Sequence, residues 1–114
     1  MQYSDLYDDF KSLFPEDASF FQNKEKEIGL DSSDGIHVLF GLCVAPYLKS
    51  LEQRGEEDKL KRAFSFFEEM ANSKDPRIEE VFEFSVLEDL VPESGQGYGS
   101  FEKYFGPKTR EFAW

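Results

Sequence analysis

Between Gly35 and Leu51, apolar residues recur at intervals of three and four. Ile36, Leu39, Phe40, Cys43, Val44, Tyr47, Leu48 and Leu51 fall on one face of a helix. Val38, Leu42 and Ala45 carry apolar surface round to the opposite side. This pattern predicts a helix covered on most sides and placed at the centre of the fold. The stretch Gly35–Leu48 has no formal charge, but it is shorter than the roughly 20 apolar residues a membrane crossing takes, and Lys49, Glu52 and Arg54 close it. Asp34 is the candidate N-cap, since its carboxylate can accept amides of the first turn. Pro46 lacks an amide donor and its ring meets the carbonyl of Leu42. The pattern therefore predicts a kink there, or one helix ending near Val44 and another starting at Pro46.

Upstream, Leu6, Phe10, Leu13 and Phe14 recur at helical spacing until Pro15 stops the run. Ser4 is the candidate cap of this first helix, Asp5, Asp8 and Asp9 lie near its positive end, and Tyr3 and Tyr7 share a neighbouring face. A weaker helix from Glu16 to about Glu27 would bury Phe20, Phe21 and Ile28 and leave Lys24, Glu25, Lys26 and Glu27 in solvent.

Downstream, Gln53–Glu56 reads as a turn. The helix opening on Glu56, Glu57 and Asp58 carries an apolar stripe of Leu60, Ala63, Phe64, Phe67, Met70 and Ala71, with Phe66 off that face. Asn72, Ser73 and Lys74 end it, and Asp75-Pro76 predicts a new helix start. The helix from Pro76 to about Val91 has two stripes, Ile78, Val81, Phe82 and Val86 in one and Phe84, Leu87 and Val91 in the other, as for a helix lying between two neighbours. Pro92–Gly99 reads as a loop bearing Tyr98. Ser100 would cap a last short helix through Phe101, Tyr104 and Phe105, closed by Gly106 and Pro107 ahead of the tail. No stretch alternates as a strand would. The fold class expected is all-α, one domain over residues 1–114 with five to six helices in an irregular bundle or short stack.

Composition sharpens this picture. A chain of 114 residues with 13 phenylalanines can bury a bulky core without staples. The formal charge is 13 − 24 = −11, which opposes compaction and excludes a surface built to bind nucleic acid directly. A basic protein is the natural complement. The single cysteine, Cys43, has no intramolecular partner and reads as a buried hydrophobe. The start MQYSDLYDDF has neither a basic beginning nor an apolar core, so a cytoplasmic location is expected.

The inventory for catalysis is thin. GLDSSDG resembles a calcium loop only superficially: with Gly35 as the loop glycine, the first ligand position falls on Leu30 and the twelfth on Gly41. His37 is the single histidine, three residues after Asp34, and no second histidine or cysteine completes a metal set. GQGYG follows a helix and falls short of a dinucleotide pattern. No catalytic residue, metal or cofactor is expected. A small enzyme or metal protein centred on Asp34 and His37 is the alternative these residues leave open.

Charge is unevenly distributed. From Glu68 to Glu93, nine acids (Glu68, Glu69, Asp75, Glu79, Glu80, Glu83, Glu88, Asp89, Glu93) face only Lys74 and Arg77, so 9 − 2 = 7 of the surplus charges lie in this stretch. The expected contact face carries Glu79, Glu80 and Glu83, with Glu68, Glu69, Asp75 and Glu88 around it. Phe84, Tyr98 and Trp114 are the candidate apolar anchors. Phe66 or Phe84 could equally feed a self-interface, which leaves the oligomeric state open.

The succession VLFGLCVAPYLKSL, FSFFEEMANSKDPRIEEVFEFSVLEDL and KYFGPKTREF resembles a family of short acidic all-helical bacterial domains, over most of the chain from about Val38 onward. These motifs are core patterns plus a helix start, so they speak to fold. In size and charge the chain is also similar to the immunity proteins encoded beside toxins of contact-dependent growth inhibition and other polymorphic toxin systems. That likeness implies a cytoplasmic inhibitor bound to the C-terminal domain of a cognate toxin, often a basic nuclease. It brings no catalytic residues. An acidic adaptor on another basic protein, or a nucleic-acid mimic, is the alternative.

Overall fold

The computed structural model describes residues 1–30, 35–90 and 98–113. Asp34, Val91, residues 92–97 and Trp114 lie outside the described residues, and with them the expected cap at Asp34 and the expected anchor at Trp114.

Pro46 does not break its helix. Residues 36–54 form one helical run, with α-helix at Ile36–Leu39, a π turn at Phe40–Val44 and α-helix at Ala45–Arg54. In the π turn the Ala45 amide reaches back five residues to the Phe40 carbonyl. The widened turn lies just ahead of the residue without an amide hydrogen and carries the helix past it, so the expected break between Val44 and Pro46 does not occur. Gly55, at φ 69°, supplies the left-handed residue that ends the run.

The other α-helical runs are Leu6–Ser12, Ala18–Ile28, Glu57–Ala71, residues 76–90 and Pro107–Ala113, with 3-10 turns at Tyr3–Asp5, Pro15–Asp17 and Gly99–Tyr104. The described residues contain no strand, and the fold is all-α. Residues 76–90 have a π turn of their own at Glu83–Leu87. Two expected caps are replaced. Ser4 lies inside a 3-10 turn and makes no capping bond, and Ser100 likewise sits within Gly99–Tyr104. Glu102 instead accepts the Tyr98 amide at 3.1 Å. Pro107 opens a helix where it was expected to close one, because its fixed φ suits the first helical position.

Packing is dominated by rings on the Glu57–Ala71 helix. Phe67 stacks on Phe10 (centroids 5.5 Å apart, 7° between planes) and meets Phe64 and Phe82 at 5.2 and 6.1 Å. Phe10 also contacts Phe14, Phe21, Phe40, Tyr47 and Phe66. Phe66, expected off the buried stripe, is only 8% exposed and belongs to the core. Phe64 carries the network on to Phe101, Tyr104 and Phe105. The 36–54 helix buries Leu39, Phe40, Cys43, Val44, Ala45, Tyr47, Leu48 and Leu51. It is not covered all round, since Val38 and Leu42 remain 44% and 48% exposed.

Tyrosines in such a core need acceptors for their hydroxyls. Tyr47 donates to Asp17 Oδ2 at 2.6 Å, an oxygen also held by Lys59 Nζ at 2.8 Å. Tyr7 donates to Glu25 Oε2 at 2.7 Å, with Lys11 Nζ at 3.2 Å. Glu25 is therefore partly buried and engaged, against the expectation of a solvated face.

Phe10→Ala should destabilise the domain by about 3–5 kcal/mol in urea unfolding, because six neighbouring rings cannot all collapse into the void. A loss below about 1 kcal/mol would show that the core is not centred there.

Candidate partner-binding face

The acidic stretch starts at the end of the Glu57–Ala71 helix, and its first member is turned inward. Glu68 Oε2 accepts the Lys108 amide at 2.8 Å, and Oε1 accepts the Thr109 amide and hydroxyl, each at 2.8 Å. Asn72 Nδ2 adds a longer bond at 3.3 Å. The carboxylate thus caps the first turn of Pro107–Ala113 from 40 residues away in sequence. Gly106 makes room for it, since a Cβ there would fall 2.5 Å from the Glu68 carboxyl. Burial pushes the carboxyl pKa up, and the donors from Lys108, Thr109 and Asn72 outweigh that, leaving it below its ordinary value.

Asp75 is also engaged locally. Its Oδ1 accepts the Arg77 amide at 3.0 Å, which caps the 76–90 helix as the Asp-Pro pair predicts. The Arg77 guanidinium grips the same carboxylate at 3.2 and 2.9 Å and holds its pKa below the ordinary value. Tyr98 is partly buried, with its ring edge-on to Phe105 at 5.3 Å. Glu68, Asp75 and Tyr98 are therefore each engaged within the fold.

The remaining residues of the proposed face are more open. Glu69, Glu80 and Glu88 are exposed, Glu79 and Glu83 are partly buried, and Phe84 is 52% exposed. None of these five glutamates forms an ion pair among the described residues. Glu79 lies close enough to Lys108 to add, after Glu111, to the field that raises the lysine pKa.

His37 sits at the seam between the two π-turned helices. Its Nδ1 lies 2.8 Å from Ser85 Oγ. One turn on, a Cβ at Gly41 would come within 3.1 Å of Asp89 Oδ2. Both pairs are offset by 48 residues in the same direction, so the helices run parallel. Burial raises the Asp89 pKa, while Lys49 acts to lower it. Among the described residues no group of three or more His, Cys, Asp or Glu could hold a metal ion, and no helix is long and apolar enough to cross a membrane. Val38 and Leu42 are surface residues that periodicity does not reveal, because helical spacing alone cannot say which apolar side finds a neighbour.

Residues 7–114 match the family described as Domain of unknown function (DUF7674). The chain belongs to that family. The match takes in every α-helix after the first residue of Leu6–Ser12, so the DUF7674 domain is this helical unit. Neither a curated protein nor a solved structure matches the chain.

Glu68→Gln should cost about 1–2 kcal/mol at neutral pH, the range of a lost cap. A carboxyl with a lowered folded pKa contributes fully above its ordinary value of 4.5, and the contribution is lost as pH falls through the lower folded value. The stability gap between wild type and Glu68→Gln, read from urea midpoints, should therefore close on acidification. A gap independent of pH would overturn the role given to this carboxylate.

Proposed function

We propose that this domain is a non-enzymatic immunity protein that binds and neutralises a basic toxin domain, a nuclease acting on RNA or DNA, through the acidic surface of the 76–90 helix. The observation that carries this reading is the contrast within one acidic stretch. Glu68 and Asp75 are tied into the fold by hydrogen bonds, whereas Glu69, Glu79, Glu80, Glu83 and Glu88 form no ion pair among the described residues.

A nuclease neutralises the phosphates of its substrate with lysine and arginine, so its substrate surface is cationic. An anionic helix face can engage those same groups and exclude the substrate. A net charge of −11 would steer the encounter and raise its rate above that of a neutral pair. The likeness in size and charge to toxin-associated immunity proteins supports the same class.

The test is co-expression with a basic toxin domain encoded beside this gene. Wild type should restore growth. The triple reversal Glu79→Lys, Glu80→Lys, Glu83→Lys should lose protection and weaken binding at least about tenfold at low salt, with an unchanged circular dichroism melt. Reversing the exposed Asp9, Glu27 and Glu52 changes net charge equally and should cost far less. Equal losses in the two variants would remove the face-specific contact. Similar affinity for unrelated basic domains would replace the inhibitor with an adaptor.

A further inference from the structure

We infer that the partner is anchored on an apolar patch formed by Val38, Leu42 and Phe84, and that this patch takes a basic amphipathic helix. Apart from Met1, these are the large hydrophobic residues left exposed among the described residues, at 44%, 48% and 52%. Scattered apolar residues on a surface mean little. These three are brought together by the seam.

The seam pairs are His37 with Ser85 and Gly41 with Asp89, on parallel right-handed helices. Each residue turns the helix by about 100°. On two parallel helices that face each other, one step forward on the first and one step back on the second turn towards the same side. Val38 and Leu42 follow the seam residues of the 36–54 helix by one position. Phe84 and Glu88 precede those of the 76–90 helix by one. All four therefore lie on one side of the seam. The opposite steps give Ile36 and Phe40 with Val86 and Leu90, and these are core: Phe40, Val86 and Leu90 are buried and Ile36 packs against them. One side of the seam is the protein interior, and the other is an apolar surface with no cover among the described residues. Leu42 and Phe84 both sit in π turns, which insert an extra residue and recur at functional sites.

Charge decides the occupant. Glu80 and Glu88 stand four residues either side of Phe84, exposed and without ion pairs among the described residues. Lys49, seven residues on from Leu42, lies close enough to Asp89 to act on its pKa, so it stands beside an acid of the neighbouring helix. A second copy would bring another charge of −11 and the same acidic rim against it, so self-association is disfavoured. The complementary partner is a helix presenting apolar residues at i and i+4 with lysine or arginine beside them. This inference rests on the inhibitor reading only for the sign of the partner's charge.

The probe is a labelled helical peptide of leucine and lysine, about 18 residues long, with its leucines on one face. A scrambled peptide of the same composition is the control, and fluorescence anisotropy is the measurement. Wild type should bind the amphipathic peptide more tightly than the scrambled one. Leu42→Ser with Phe84→Ser should weaken the amphipathic peptide at least about tenfold while leaving the scrambled peptide unchanged. Both positions are half exposed, so the fold should survive, and an unchanged melt verifies that. Equal affinity for the two peptides, or a double variant that binds like wild type, overturns the patch. Sedimentation of wild type as a dimer that the double variant dissolves assigns the patch to self-association and also overturns it. A domain that binds through Leu42 and Phe84 yet fails to protect cells keeps the surface and loses the toxin. Protection without patch-dependent binding does the reverse.

Discussion

The flat contact of Phe67 on Phe10 holds the molecule together. Phe10 gathers the rings of the first three helices, and Phe67 connects them to Phe64 and Phe82, hence to the 76–90 helix and the C-terminal segment. Phe82 in turn meets Phe112 edge-on at 5.7 Å, so the last helix is tied to the same network. Magnitudes explain why an excess of negative charge does not undo this. A fully buried phenylalanine contributes about 1.5–3 kcal/mol, whereas a like-charge pair on an exposed helix face costs roughly 0.2–0.5 kcal/mol. A few rings outweigh many repulsions.

Acids then fall into two sets. Asp17, Glu25 and Glu68 each accept a hydrogen bond from a donor well away in sequence and join separate helices, while Asp75 caps its own. On the 76–90 helix the leftover acids form two neighbouring rows at one-turn spacing, Glu79 with Glu83 and Glu80 with Glu88. Glu79 lies close enough to Lys108 to act on its pKa, whereas Glu80 and Glu88 stand four residues either side of Phe84. The acidic stretch thus resolves into two flanks of one helix. The flank with an apolar centre is the one able to combine charge with burial.

The all-α class, the Asp75-Pro76 helix start and the buried stripe of Glu57–Ala71 were legible because each depends on local spacing or on one residue's chemistry. Phe66 was not legible. Its place in the core depends on Phe10, more than fifty residues earlier, and periodicity within one helix carries no such information. Glu68 illustrates the same limit, since a carboxylate that caps a helix 40 residues on looks identical in sequence to a solvated one. At Pro46 the missing amide and the crowding were readable, but helical spacing cannot tell a break from a π turn that carries the helix past the proline. The proposed contact face is readable as charge. Its apolar half was hidden, because Val38 and Leu42 lie in a run that looks buried throughout.

That hidden half changes what the surface can do. A helix apolar on nearly all sides ordinarily gets its cover from its own chain, and here the described residues provide it on all sides but one. Val38, Leu42 and Phe84 each keep about half their surface in water, so covering them would contribute on the order of 1 kcal/mol apiece. Together that is roughly a hundredfold in affinity. The exposed glutamates act differently, because charge at the rim mainly sets how fast a partner arrives and is screened by salt. Apolar anchors set how slowly it leaves. A surface built only of acid would bind many cations briefly. Three anchors beside the acid would add selection by shape and a slower release, as the proposed inhibitor requires.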